Sequence, residues 1–370
     1  MANKDLHDEP FDEGTLVKLE IFEDYLQAWL PTFIMQANLY PVICVFDFFA
    51  GTGYDKNGIA GSPIRFLNKL NEQLNIIIEN KIKIRLILNE FNLIKFNQLK
   101  NACQELLFNN SNLNKAIEVS YYNEDFDSIF PKLKSSINQY PSLVYLDQNG
   151  MKFLSDKYFQ ELEKMKQTDF LYFISSSYFW RFGDTKEFKT HLDIDMTKAR
   201  KDPYKFIHRN IIEQLRLKLS STSKLKLYPF SIKKVANIHG IIFGATHPRA
   251  VDKFLSLSWK RNEINGEANF DIDDDAKKVG VIDLWGNMKL NKIQQFQESL
   301  RLKILDKSIT NNKEALEYTY NQGHIPSHAA ECLKQMKKDK ELDYKATSPL
   351  VTYQNVYAKN NIVSYFTLKH

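Results

Sequence analysis

The sequence predicts an α/β protein: a mostly parallel sheet whose last strand runs antiparallel, followed by a C-terminal winged-helix domain. Three observations carry this expectation. Short apolar runs rich in β-branched and aromatic residues recur through the first half of the chain, separated by stretches of helical length. The first run ends in a glycine loop and a helix start. The last part, residues 306–370, reads instead as helix, turn, helix and two short β-like pieces.

The chain has 370 residues, of which 43% are hydrophobic and 26% charged, enough for one large domain and a smaller one. No apolar run is long enough to cross a bilayer, and the polar start Met1-Ala2-Asn3-Lys4-Asp5 lacks a secretory core, so a cytoplasmic protein is expected. Cys44, Cys103 and Cys332 are far apart and form no Cys-x-x-Cys pair, so they read as buried thiols and not as a metal site. The net charge of +5 is modest, but Arg200–Lys234 holds ten Lys and Arg against two acids. The expected division is an α/β domain over 1–260, a connector over 261–305 and the winged helix over 306–370.

After a polar lead, Leu16, Leu19, Phe22, Leu26 and Trp29 fall at helical spacing, and the helix is expected to end near Pro31. Pro41–Gly53 follows: a buried strand, then Asp47-Phe48-Phe49-Ala50-Gly51-Thr52-Gly53. Gly51 and Gly53 allow a sharp turn and a close backbone approach to a ligand, and Ser62-Pro63 opens the next helix. No Gly-Lys-Ser/Thr follows, which excludes a Walker loop, and Lys56 breaks the dinucleotide Gly-x-Gly-x-x-Gly pattern. Ile82–Glu90 is a second strand ending in an acid, where a carboxylate can hold ribose hydroxyls. Ile117–Tyr122, Leu143–Asp147 and Asp169–Ser177 are the next three strands. Lys224–Lys234 and Asn237–Gly244 form the closing antiparallel pair. His239 and His247, at the ends of that last strand, could serve as base or ligand, although a lone histidine at a strand end is more often structural.

The segment around Gly51 resembles the cofactor loop of class I S-adenosylmethionine (SAM) methyltransferases, notably those acting on nucleic acid, with a Rossmann-like sheet. The resemblance implies that Asp47, Phe49, Gly51, Gly53, Glu90, Asp125 and Phe126 hold SAM, the last two at the adenine. A helix cap is the alternative reading of Asp125. Amino-methyltransferases carry Asp/Asn-Pro-Pro-aromatic after the fourth strand. This chain keeps Asp147 and lacks both prolines, leaving Gln148 and Asn149 to orient a target amine. No cysteine lies near enough in sequence for a cytosine-C5 mechanism. Ser175, Ser177 and Arg181, with Lys224, Lys226, Lys233 and Lys234, suit a phosphate-bearing substrate.

Four blocks in one order are similar to the three-Cys-motif partner protein (TcmP) family: Tyr25-Leu26-x-Ala28-Trp29-Leu30; Asp47-x-Phe49-Ala50-Gly51-x-Gly53 with Gly61-Ser62-Pro63; Tyr145-Leu146-Asp147-Gln148-x-Gly150; and Asp169-Phe170-Leu171-x-Phe173-Ile174-Ser175-Ser176-Ser177 with Arg181-Phe182. This second resemblance implies a separate partner protein bearing the three-cysteine motif. Two functions stay open at this point. One is SAM-dependent N-methylation of a nucleic-acid base, DNA or RNA. The other is a non-catalytic partner or sensor of the three-Cys-motif protein in defence against phage. In the C-terminal domain, Lys334, Lys337, Lys338 and Lys340 lie on or just past the second helix, where either nucleic acid or protein is a possible partner.

Overall fold

The computed structural model describes residues 10–148, 155–234, 237–278, 281–282, 288–358 and 361–369. The chain divides into two compact units, residues 1–247 and 248–370.

The first unit is built on seven described strands: β1 (Val42–Asp47), β2 (Lys83–Asn89), β3 (Ile117–Tyr122), β4 (Ser142–Leu146), β5 (Thr168–Ser175), β6 (Lys226–Lys234) and β7 (Asn237–Ala245). They lie in the order β3-β2-β1-β4-β5-β7-β6. The first five are mutually parallel, and β7 runs antiparallel between β5 and β6. This is the Rossmann-like arrangement of a methyltransferase fold, with the antiparallel strand the sequence led us to expect. The order reverses at β1, between β2 and β4, which opens a crevice at the carboxyl ends of those strands.

Alternation along the strands supplies two apolar faces. Cys44, Phe46, Val144, Leu146, Phe170 and Tyr172 face a core shared with the helices Phe126–Gln139 and Ile207–Lys218. On the other face, Tyr145 meets the rings of Phe22 and Phe66, and Phe243 meets Tyr25. Phe22 and Tyr25 belong to α1 (Glu13–Ile34) and Phe66 to α2 (Ser62–Glu72). Tyr145 also donates its hydroxyl to the Phe22 carbonyl at 2.5 Å, which fixes α1 against the sheet. α1 does not stop near Pro31 but runs on to Ile34. Pro31 costs it one backbone donor, while the Pro31 carbonyl still accepts from Met35 N at 3.2 Å. The expected fifth strand ends at Ser175, and Ser176–Phe182 is helical.

The second unit contains α3 (Lys292–Leu305), α4 (Asn312–Asn321) and α5 (Pro326–Lys338), closed by the short antiparallel pair Leu342–Asp343 and Thr367–Leu368. Asn311 caps α4 through its side chain, and Gly323, at φ 73°, ends the turn that follows α4. The segment 261–305, read as a connector, in fact supplies α3, and Phe296, Leu300 and Ile304 pack in one core with Ala315, Leu333 and Met336. The acidic run 271–275, read as a solvated loop, also differs. Asp275 is buried and accepts from Lys278 Nζ at 2.8 Å and from the Lys292 backbone N at 3.1 Å.

All three cysteines are buried and free. No helix of the described residues is long and apolar enough to cross a membrane.

Candidate functional site

Because β1, β2, β4 and β5 are parallel, their carboxyl ends share one rim of the sheet. β6 is antiparallel to β7 and β7 to β5, so the end of β6 and the start of β7 reach that same rim. The rim carries Asp47 and the glycine loop, Glu90, Asp147, Ser175, Lys233, Lys234 and His239.

The loop after β1 is held open by backbone geometry. Gly51 has φ 67° and Gly53 φ 90°, values that favour glycine. A Cβ at Gly53 would also press within 3.0 Å of the Ala102 Cβ. Glu90 binds the loop directly: one oxygen accepts from Gly51 N at 3.0 Å and the other from Asn92 N at 2.8 Å. The Tyr54–Gly61 insertion is ordered by buried Asp55, whose carboxylate accepts from the backbone N of Asn57, Ile59 and Phe11 at 2.9, 2.7 and 2.7 Å. Burial opposes that charge, yet these amides hold the Asp55 carboxyl below the usual carboxylate range.

Asp47 is 2% exposed and faces inward. It accepts from the Ser62 hydroxyl at 2.7 Å and from Phe49 N at 3.2 Å. Burial pushes its pKa up to about 7 against the lowering pull of those two bonds, and the nearby carboxylates of Asp147 and Glu90 add to the rise. Asp47 therefore shapes the loop, and a direct cofactor contact through its carboxylate is not what the geometry provides.

Phe126 is also corrected. Its ring is 2% exposed and is enclosed by Phe48, Phe130 and Tyr158, with Phe49 stacked against it at 5.4 Å. It belongs to the core and presents no face to an adenine. Asp125 caps the helix Phe126–Gln139, accepting from Asp127 N at 3.1 Å. The exposed ring at this end of the crevice is Phe91, 70% exposed and next to Glu90, a residue the sequence reading passed over.

Just past β4, Asp147 is bound to Lys18 of α1, whose Nζ lies 2.5 Å from Asp147 Oδ2. Lys18 Nζ also sits 4.3 Å from the centroid of the Phe173 ring. That ring stacks on His239, with centroids 5.4 Å apart. The Nδ1 of His239 is buried with no hydrogen-bond partner among the described residues. Burial, with the charges of Lys234 and Lys18, lowers the His239 pKa to about 4, so the ring is neutral at pH 7. Lys18 was legible in principle, since it shares the helical stripe of Phe22, Tyr25 and Trp29, where a charge needs a partner.

Gln148 is 3% exposed and turned toward the Tyr172 hydroxyl at 3.4 Å, so it is not presented to a target. Asn149 lies outside the described residues. Ser175 and Ser177 share a hydrogen bond of 3.0 Å, and Arg181 is exposed. Buried His208, unremarked in the sequence, joins Ser176 Oγ at 2.8 Å and Ser231 Oγ at 3.3 Å. The four basic-segment lysines do not form one surface. Lys233 and Lys234 are at the rim, Lys234 paired with Asp12, whereas Lys224 and Lys226 lie at the opposite end of β6. The seven residue steps from Lys226 to Lys233 span roughly 23 Å. Among the described residues no group of His, Cys, Asp and Glu is placed to hold a metal ion.

Comparison with known proteins adds the following. Residues 260–349 match the family described as GMT-like wHTH domain, so the second unit contains a winged-helix domain. No curated protein matches the chain. Similar solved structures include the O-methyltransferase TomG from Streptomyces achromogenes in complex with SAM, 10% identical, covering 63% of this chain and 89% of that one, with a TM-score of 0.32. The N-terminal domain of human METTL16 in complex with SAH is 10% identical, covers 65% of this chain and 72% of that one, and has a TM-score of 0.31. A METTL16 MTase domain is 12% identical over 58% of this chain and 66% of that one, with a TM-score of 0.30.

Proposed function

We propose that the first unit binds S-adenosylmethionine in the crevice above β1 and β2 and transfers its methyl group to an amine nitrogen of a nucleic-acid base. The observation that carries this reading is Glu90 held against the Gly51 amide at the point where the strand order reverses. A carboxylate placed there suits ribose hydroxyls, and the glycine backbone beside it admits a close ligand. The residues fit this cofactor better than a nucleotide polyphosphate. Glu90 puts a carboxylate beside the glycine loop, which favours a sulfonium and disfavours a polyphosphate at that point. Glu90 would take the ribose, Gly51 and Gly53 the amino-acid end, and Phe91 with Asp125 the adenine. The bound cofactor supplies an activated methyl group. The chain's part is to hold the acceptor in line, with Asp147 accepting from its amine and Lys18 fixing the Asp147 carboxylate.

Nucleic acid as the substrate is supported by Lys233 and Lys234 at the rim and by the winged-helix domain. The outer face of α5 and the turn past it add little net charge, since exposed Lys334, Lys338 and Lys340 are largely offset by exposed Glu331 and Asp339. A second reading has its own support: Asp147 is already engaged by Lys18 and Gln148 is buried, as in a methyltransferase-shaped protein that does not transfer. On that reading the chain is the partner or sensor of a three-Cys-motif protein in defence against phage.

Calorimetric titration with S-adenosylmethionine tests the cofactor site, and labelled-methyl incorporation into total RNA and genomic DNA tests transfer. Absence of binding ends the first reading. Binding without incorporation, in the presence of the three-Cys-motif protein, favours the second.

A further inference from the structure

The acceptor side of the crevice contains an arrangement that the cofactor reading does not by itself require. Three carboxylates end neighbouring strands: Asp47 on β1, with Glu90 and Asp147 just past β2 and β4. Asp47 lies in register with Tyr145, two residues before Asp147. Their charges reach one another, since both Glu90 and Asp147 raise the Asp47 pKa. Into this group α1 inserts the ammonium of Lys18, whose side chain is only 9% exposed. Taking an ammonium this far from water is costly, and its contacts are the Asp147 carboxylate and the face of the Phe173 ring. A structural strut at this position would be served equally well by an apolar side chain against Phe173, so the charge itself calls for an explanation.

S-adenosylmethionine and its demethylated product, S-adenosylhomocysteine, differ by the transferred methyl group, which makes the sulfur cationic in the first and neutral in the second. The rest of the molecule is the same, so a change in the ratio of their affinities between variants reads a change in the electrostatic field at the sulfur. We infer that Lys18, by neutralising Asp147 at the rim, sets how strongly the crevice prefers the cationic cofactor over its neutral product. This inference rests on the cofactor reading given above. With Lys18 in place, the Asp147 charge is offset, which limits the attraction for the sulfonium. Without it, the Asp147 charge adds to that of Glu90. Without Asp147, the Lys18 ammonium stands unpaired and repels a sulfonium.

The test is calorimetry with both ligands on the wild type, Lys18→Met, Asp147→Asn and the double variant, with circular dichroism to confirm folding. The expected result is a ratio of S-adenosylmethionine to S-adenosylhomocysteine affinity that rises about tenfold in Lys18→Met and falls by a similar factor in Asp147→Asn. That is the order expected for unit charges several ångströms apart near a protein surface. The double variant returns close to the wild-type ratio. Should Lys18→Met fail to fold, the Asp147→Asn arm still decides the sign. A ratio that does not move, or moves the same way in both single variants, overturns the inference while the cofactor reading stands. Equal weakening of both ligands makes Lys18 a strut and overturns it too. A wild type that binds neither ligand removes the cofactor reading and this inference with it.

Discussion

The Ser62 hydroxyl donates to Asp47 Oδ2 at 2.7 Å, tying the acid that ends β1 to the first residue of α2 across the glycine loop. The Asp47 carboxyl is buried, and its folded pKa of about 7 lies above the ordinary 3.8. The folded state therefore holds more protons than the unfolded state between those values, and stability falls as pH rises through that window. The slope approaches about 1.4 kcal/mol per pH unit near its centre. Asp47→Asn is expected to flatten the dependence between pH 4 and 7, measured by urea denaturation at several pH values. An unchanged slope would assign it to other groups.

Glu90 is the residue whose loss should be felt most directly by the cofactor. Glu90→Ala removes both the ribose acceptor and the bond to Gly51 N, so affinity for S-adenosylmethionine is expected to fall by about 1.5–3 kcal/mol, ten- to a hundredfold. Glu90→Gln keeps an acceptor for the loop and should lose less. Calorimetry on both variants checks the order, and equal losses would mean that the charge, absent from both variants, is what matters and not the loop bond.

Elements made by local sequence were readable in advance, and those made by distant partners were not. Strands β1, β2, β4 and β5 announce themselves because each buries a short apolar run, whereas β3 buries only Ile117 and is marked by its β-branched and aromatic residues. The position of β7 between β5 and β6 depends on pairing that local composition does not encode. Phe126 and Phe91 are both aromatics at a strand end. Phe126 turns inward because Phe130 on its own helix, with Phe48 and Tyr158 from two other segments, closes around it. Phe91 has no such enclosure and stays exposed. Asp147 was marked from its place after β4, but its partner Lys18 lies 129 positions away and no spacing rule connects them.

Gly240 on β7 is fixed by His208. A Cβ at 240 would lie 2.3 Å from the His208 ring. Gly240→Ala is therefore expected to cost about 1–3 kcal/mol by overpacking. The same change in a His208→Ala background should cost much less, since the obstructing ring is gone. Denaturant midpoints of the four proteins give the coupling, and additive losses would refute the contact as the cause.

In the second unit, His324 and His328 share a Nδ1 to Nδ1 contact of 3.0 Å, which takes one proton between the two nitrogens. Both rings are buried among Trp259 and Phe296, with Lys292 and Glu267 the charged groups nearby. Burial and the Lys292 charge lower the pKa to about 2 for His324 and about 4 for His328, with His328 itself adding to the drop at His324. The unfolded chain takes up these protons near 6.5, so stability is full above that pH and is lost as pH falls toward 4. Unfolding followed by Trp259 fluorescence at pH 7, 5.5 and 4.5 should show the decline, and His328→Phe should lessen it.

The separation of the basic residues makes the last prediction. Lys233 shares the rim with the crevice, while Lys224 and Lys226 sit at the far end of the same strand. A nucleic acid whose base enters the crevice must pass its backbone along the rim. Lys233→Ala is then expected to weaken binding to single-stranded RNA or DNA and to lower the slope of log affinity against log salt by about one. Lys224→Ala with Lys226→Ala should leave that slope unchanged. Fluorescence anisotropy across 50–200 mM salt, the range over which phosphate contacts declare themselves, reads both. A larger loss from the far pair would place the nucleic acid on the opposite edge of the sheet and separate it from the crevice proposed for the cofactor.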